Sequence, residues 1–256
     1  MEKKNEKTTT TQRDINAVNN LGETRLHGVE SAQEAMAIIK AGADVNERSI
    51  EGYSPLHAAL THGRKDVAGV LMASGANVNA KDNEGRSPIF YAQDVDSMWM
   101  LIKAGADVKT KDKYGITPLH EHSSPEATRM LIEAGGDVNA RTEEGATPLM
   151  SARSEETVAA LIEAGADVNA KDRYGMSVLH HPKNEEVTEL LIDRGADTRA
   201  LSNRGMTPAD VARAVYMNNI ADVIERKQAE IEKGKLQKST PAAQSKPIKR
   251  KAKAYI

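Results

Sequence analysis

The 256-residue chain contains no cysteine, which excludes disulfides and thiolate metal sites. Aromatic residues are nearly missing too: they make up 3% of the chain, with one Phe (Phe90) and one Trp (Trp99). A single globular core of this size would use more large rings, because they bury the most area per residue. No stretch approaches the roughly 18 apolar residues that span a bilayer. Met1 to Val18 is polar and charged and lacks the apolar run of a Sec-type signal peptide. The expectation is a soluble, cytoplasmic protein with no membrane partner. Its apolar content of Ala, Leu, Ile, Val and Met suits a thin core made of many small helices.

Net charge is −2, but its distribution is uneven. Lys233 to Ile256 carries eight Lys or Arg and no Asp or Glu, and setting that +8 aside leaves −10 for residues 1–232. An acidic body with a basic tail is the electrostatic picture.

What the chain has in quantity is repetition. One glycine series falls at Gly22, Gly52, Gly85, Gly115, Gly145, Gly175 and Gly205, with steps of 30, 33, 30, 30, 30 and 30 residues. A second falls at Gly42, Gly75, Gly105, Gly135, Gly165 and Gly195, in Gly-Ala-Asp or close variants. In Thr117-Pro118-Leu119-His120 the Thr caps a helix by accepting from a free backbone N–H, and Pro sits at the first helical position, where its missing N–H costs nothing. Ser54-Pro55-Leu56-His57, Thr147-Pro148-Leu149-Met150 and Thr207-Pro208-Ala209-Asp210 repeat the device. A second helix then carries apolar pairs: Ile38/Ile39, Leu71/Met72, Leu101/Ile102, Leu131/Ile132, Leu161/Ile162 and Leu191/Ile192. The glycine after each pair fits a left-handed helix stop. Val45, Val78, Val108, Val138 and Val168 follow, where an extended run is expected, and polar segments such as Ala170 to Gly175 turn the chain back.

The pattern G-x-T-P-L-H, two short helices, then G-A-D-V-N-A resembles the ankyrin repeat family over about residues 20–226. The resemblance implies an all-α ankyrin-repeat solenoid of about seven helix–turn–helix units joined by short hairpin loops. It also implies a non-enzymatic, protein-binding role, and its very regular Ala/Glu-rich units are common in bacterial members. The expected organisation is a polar N-terminal extension (1–19), the repeat domain (20–226), and a helical extension with a basic, disordered tail (227–256). Only the second repeat has the family's usual 33 residues, so the 30-residue repeats should have a shortened first helix and a tight link. The first repeat lacks the proline (Thr24-Arg25-Leu26-His27), as befits a terminal cap. The last runs into a helix expected to end around Lys233, with Ile220, Val223 and Ile224 sealing the final interface.

His57, His120 and His180 share one repeat position, and in the family that imidazole links neighbouring turns. His122 and His181 are extra and read as exposed binding-face residues rather than zinc ligands, which would need about four well-placed donors. Glu126, Glu155, Glu156, Glu185 and Glu186 start second helices, where negative charge complements the helix dipole. No Ser/His/Asp arrangement, phosphate-cradling loop or dinucleotide fingerprint is present, so no enzyme activity and no cofactor are expected.

The resemblance places recognition on the hairpin tips and the first helices. The tip positions are Ile50, Glu51 and Tyr53; Asn83, Glu84 and Arg86; Lys113, Tyr114 and Ile116; Glu143, Glu144 and Ala146; Arg173, Tyr174 and Met176; Arg204 and Met206. First-helix positions add Tyr91, Gln93, Glu121, His122, Ser151, Arg153, His181 and Lys183. Tyr and Arg are typical interface anchors, although Tyr also serves to shield hairpin backbone. The expected partner is another protein, bound by a monomer, with toxin or enzyme neutralisation as one concrete role and action as an exported effector in a host cell as another. Lys246 to Lys253 resembles a nuclear-import or nucleic-acid patch, and it also reads as a secretion signal or as a solubilising tail.

Overall fold

The computed structural model describes residues 15–239, with side chains through residue 235. The expected N-terminal extension before residue 15 and the basic tail from 240 onward lie outside the described residues. Among the described residues every regular element is helical. Seven helix pairs follow in order. The first helices are Arg25–Gly28, Pro55–Thr61, Pro88–Tyr91, Pro118–Glu121, Pro148–Ser151, Val178–His180 and Pro208–Ala214. The second helices are Ala32–Lys40, Lys65–Ala73, Val95–Lys103, Pro125–Glu133, Glu155–Glu163, Glu185–Asp193 and Asn218–Ser239. As expected, the first helix shrinks to three or four residues in the third to sixth repeats. The seventh repeat regains the seven-residue form seen in the second. Its second helix runs to Ser239, beyond the expected end near Lys233.

Second helices stack on one another from the first repeat to the last, and every helix pair in substantial contact belongs to one repeat or to two adjacent ones. The apolar residues explain this arrangement. Leu56, Ile89, Leu119, Leu149 and Leu179 from first helices, and Leu71, Leu101, Leu131, Leu161 and Leu191 from second helices, are at most 4% exposed. A three-turn helix with one apolar stripe hides that stripe only against a like neighbour. Each such leucine contributes about 1.5–3 kcal/mol when buried. Ile220, Val223 and Ile224 close the C-terminal end as expected. At the other end Ile15 is buried in the core, so packing begins before the expected boundary at residue 20.

Three polar ladders stitch adjacent repeats. In the first, the motif histidine's Nδ1 accepts the N–H of the capping Ser or Thr, for example Ser54 N at 3.1 Å. The ring is therefore unprotonated at Nδ1, and Nε2–H donates to the next repeat: His27 to Tyr53 O, His57 to Arg86 O, His120 to Ala146 O and His180 to Met206 O, at 3.0–3.2 Å. The third and fifth repeats carry Phe90 and Met150 instead, and there the buried hydroxyls of Ser87 and Thr147 have no partner. The histidine thus satisfies a group that the capping motif otherwise strands.

The second ladder closes the ends of the shortened first helices, whose last carbonyls have no helical partner. In the first, third, fourth and fifth repeats a side chain from the following repeat reaches back to a carbonyl at or just past the helix end. Arg64 donates to Val29 O, His122 Nε2 to Ile89 O, Thr157 to Ser123 O and Lys183 to Met150 O, at 2.9–3.1 Å. Gln93 serves Thr61 O in the same way.

The third ladder runs through the expected valine segments. These form tight turns, not extended runs: Ala80 N donates to Asn77 O across Val78. The asparagine after the valine bridges repeats, as Asn79 Nδ2 donates to Gly105 O at 3.0 Å and its Oδ1 accepts Asp107 N at 2.8 Å. Asn46, Asn139 and Asn169 do the same. The rung is missing between the third and fourth repeats, where the residue is Lys109. Lys109→Asn should restore two hydrogen bonds and raise unfolding stability by about 1 kcal/mol, read as a higher urea midpoint with an unchanged slope.

Candidate functional site

The hairpin tips are built by one carboxylate device. Asp82, Asp112 and Asp172 each use Oδ1 to accept two backbone N–H groups, those of the residues two and four positions ahead, at 2.8–2.9 Å. Thr142, Ser202 and Ser49 supply a hydroxyl to the residue four ahead. The turn this closes needs a glycine with positive φ, and at Gly115 (φ 76°) the next hairpin would also crowd a Cβ, which would stand 3.0 Å from Glu143 N. Tip backbones are joined from one repeat to the next: Lys113 N donates to Glu84 O, Glu143 N to Tyr114 O, Arg173 N to Glu144 O and Asn203 N to Tyr174 O, each at 2.8 Å. The tips therefore form a row held in fixed register.

The side chains on that row divide into two groups. Tyr53 and Tyr91 belong to the packing. Tyr53 stacks on His57 with ring centroids 5.8 Å apart, and Tyr91 meets both rings edge-on. The Tyr91 hydroxyl donates its proton to Asp82 Oδ2 at 2.5 Å and its oxygen accepts from the Tyr53 hydroxyl at 3.2 Å, and burial together with Asp82 raises its pKa far above the ordinary phenol value. Arg86 is engaged as well, with Nε 3.4 Å from the fully buried carboxylate of Asp112. His122, expected on the exposed binding face, is instead half-buried and committed to Ile89 O, because the short first helix beside it needs a donor. Gln93 and Lys183 do the same job, and burial beside Arg153 pushes the Lys183 ammonium down to about 8.

The second group faces solvent. Tyr114 is 49% exposed and Tyr174 43%. Each sits in the same local arrangement, two repeats apart. Lys113 bridges to Glu84 at 2.5 Å and lies over the Tyr114 ring at 5.0 Å. Arg173 bridges to Glu144 at 2.7 Å and lies over the Tyr174 ring at 4.7 Å. Glu121, Arg153 and Arg204 are exposed, while Met176 and His181 are half-buried beside Tyr174.

Such a run of stacked helix pairs with hydrogen-bonded hairpin tips fits the match to a family model described as ankyrin repeats (three copies), which covers residues 27–112 and 89–172. The chain belongs to the ankyrin repeat family. Its structure is similar to the ankyrin repeat domain of human ASB11, with a TM-score of 0.65 and 25% identity, over 79% of this chain and 98% of that one. No curated protein matches the sequence. Ankyrin repeats mediate protein–protein interaction, and the family is in general a non-catalytic binding scaffold.

Among the described residues no group of three or more His, Asp or Glu is arranged to hold a metal ion, and no helix is long and apolar enough to cross a membrane. Two exposed rings lie off the hairpin row, at positions the repeat pattern does not mark. Trp99 is 53% exposed on a second helix, with Lys103 at 5.7 Å from its ring. Tyr216 is 91% exposed and takes a left-handed backbone (φ 64°) at the position Gly63 occupies in the second repeat. Aligning the two seven-residue first helices would have exposed that replacement.

Burial holds the pKa values of His57, His120, His122 and His181 below the ordinary 6.5. The unfolded chain therefore binds more protons than the folded one just below pH 6.5, and stability falls as pH drops through that window. Melting temperature should decline between pH 7 and pH 5, and His122→Gln, which keeps the donor to Ile89 O, should flatten the decline.

Proposed function

We propose that this protein is a non-catalytic scaffold that grips a partner protein through the face formed by the hairpin tips and first helices. The observation that carries the reading is the doubled tip arrangement at Glu84, Lys113 and Tyr114 and at Glu144, Arg173 and Tyr174. Two amphipathic rings stand half exposed, each braced by a cation and a carboxylate, on a row whose backbone is already fixed. Aromatic side chains held in place before binding lose little entropy on docking, and Tyr and Arg are enriched among residues that dominate interface energy. The partner-facing set in this reading is Tyr114, Lys113, Glu121, Glu144, Arg153, Arg173, Tyr174, Met176, His181 and Arg204, while Tyr53, Arg86, Tyr91 and His122 shape the surface from beneath.

The finer role we favour is inhibition: a toxin or enzyme held with a basic patch against the acidic body, whose residues 1–232 carry −10. The bound protein would be neutralised by occlusion, since nothing in the row performs chemistry on it. Replacing Tyr114 and Tyr174 together by Ala should weaken capture of the partner from its native host at least tenfold while shifting the melting curve by no more than an exposed substitution does, within about 0.5 kcal/mol. Deleting residues 240–256 should leave capture intact. Capture that ignores the tyrosines, or that vanishes with the tail and turns steeply salt-dependent with nucleic acid, would refute the scaffold reading.

A further inference from the structure

The residue after the hairpin glycine is Tyr53, Arg86, Ile116, Ala146, Met176 and Met206 in successive repeats. Arg86 shows what that position does when it is an arginine. Its guanidinium crosses to the next hairpin and meets Asp112 Oδ2, the oxygen left over when Oδ1 takes the two turn N–H groups. At Asp82 the leftover oxygen accepts the Tyr91 hydroxyl instead. Asp172 has neither. Its side chain is 6% exposed and its Oδ1 is committed to Tyr174 N and Met176 N, yet Oδ2 accepts no hydrogen bond. His181 Nε2 stands 3.8 Å away, beyond hydrogen-bond reach, and is itself buried with no partner. The residue placed to reach Asp172, at the position of Arg86, is Ala146. The missing side chain coincides with a cleft of about 440 Å³ whose walls include Ala146, Asp172, Tyr174, Met176 and His181.

We propose that this cleft is a subsite for an arginine side chain of the partner protein, with the guanidinium on Asp172 Oδ2 and the aliphatic stem along Met176 and Ala146. The proposal rests on the hairpin face being the partner-binding surface. The cleft offers a buried carboxylate at its floor and apolar walls above it, which suits a residue with an apolar stem and a charged fork. A compact, strongly hydrated ammonium fits less well. Tyr174 already carries the guanidinium of Arg173 at 4.7 Å, so this wall accepts a planar cation. Burial lowers the His181 pKa, which disfavours a charged ring beside Asp172. Of the other charged groups at the cleft, Glu144 is paired with Arg173, and Arg204 is exposed with no ion pair among the described residues. Arg204 is the like charge an incoming arginine meets.

The test is a nuclear magnetic resonance titration of the full chain with an acetylated, amidated Gly-Gly-Arg-Gly-Gly peptide. Matched peptides carry citrulline, lysine or norleucine at the centre. The arginine peptide should shift the amides of Ala146, Tyr174, Met176 and His181 saturably at millimolar concentration, and each matched peptide should bind at least tenfold more weakly. Ala146→Arg recreates the Arg86 arrangement and should abolish the shifts. Asp172→Asn keeps the Oδ1 acceptor and should weaken binding at least tenfold, whereas Arg204→Ala should strengthen it. Equal binding of the citrulline, lysine or norleucine peptide, absence of saturable shifts, or undiminished binding in Ala146→Arg or Asp172→Asn would overturn the assignment. The peptide comparison on the unaltered chain needs no variant to fold. Because no natural partner takes part, a failed titration with tyrosine-dependent capture intact removes the subsite alone. Arginine binding alongside tyrosine-independent capture removes the scaffold reading alone.

Discussion

Each repeat of this chain has one apolar face too many for its size. A pair of helices, one of nine residues and one often of four, cannot fold around its own leucines, so their only dry surroundings are the equivalent leucines of the next pair. Everything else in the structure accommodates that constraint. The 30-residue period keeps the faces in register, and the ends are closed by Ile15 on one side and by Ile220, Val223 and Ile224 on the other. Shortening the first helix makes the unit compact but strands its last carbonyls, and side chains from the following repeat supply the donors. Polar and apolar contacts therefore run in the same direction, between neighbours only.

The ladders also show where the chain departs from its own rule. Phe90 and Met150 break the histidine ladder and leave two buried hydroxyls unpartnered, and Lys109 breaks the asparagine ladder. Most of these exceptions fall in the middle of the stack, where packing from both sides compensates for a lost rung. The hairpin carboxylates vary in a different way. Oδ1 always serves the turn, whereas Oδ2 meets a tyrosine, an arginine or nothing, depending on which residue the adjacent repeats present. Structural necessity fixes half of each carboxylate and leaves the other half free for recognition.

Much of this was legible in the residues. The two glycine series, the Thr-Pro-Leu-His start and the paired aliphatics define the helix pairs, their order and the short first helices, because each reports a local backbone requirement. The valine segments suggest extended backbone because a β-branched residue favours that state, whereas the Asp or Asn before each valine accepts the N–H two residues ahead and holds a tight turn. Spacing located the hairpin tips but could not separate Tyr114 and Tyr174, which stand in solvent, from Tyr53 and Tyr91, which pack against His57. That distinction depends on Tyr53 and Tyr91 meeting across 38 residues of sequence, and a repeat position alone does not carry it. The inward turn of His122 is hidden from the sequence for the same reason: the carbonyl that draws it in belongs to the preceding repeat.

A surface assembled this way is rigid along its length and variable at each step, which suits recognition of a folded partner. The acidic body, the braced tyrosines and the open carboxylate at Asp172 all face such a partner on the proposed reading. The underlying claim is that stability is transmitted only between neighbours, and residue-resolved native-state hydrogen exchange on Leu131→Ala tests it most directly. The substitution removes roughly 2–5 kcal/mol at a fully buried site in the fourth repeat. Protection should fall most in the third to fifth repeats and fade toward both ends. An equal loss of protection from the first helix to the last would contradict the account, because it would mean a single shared core.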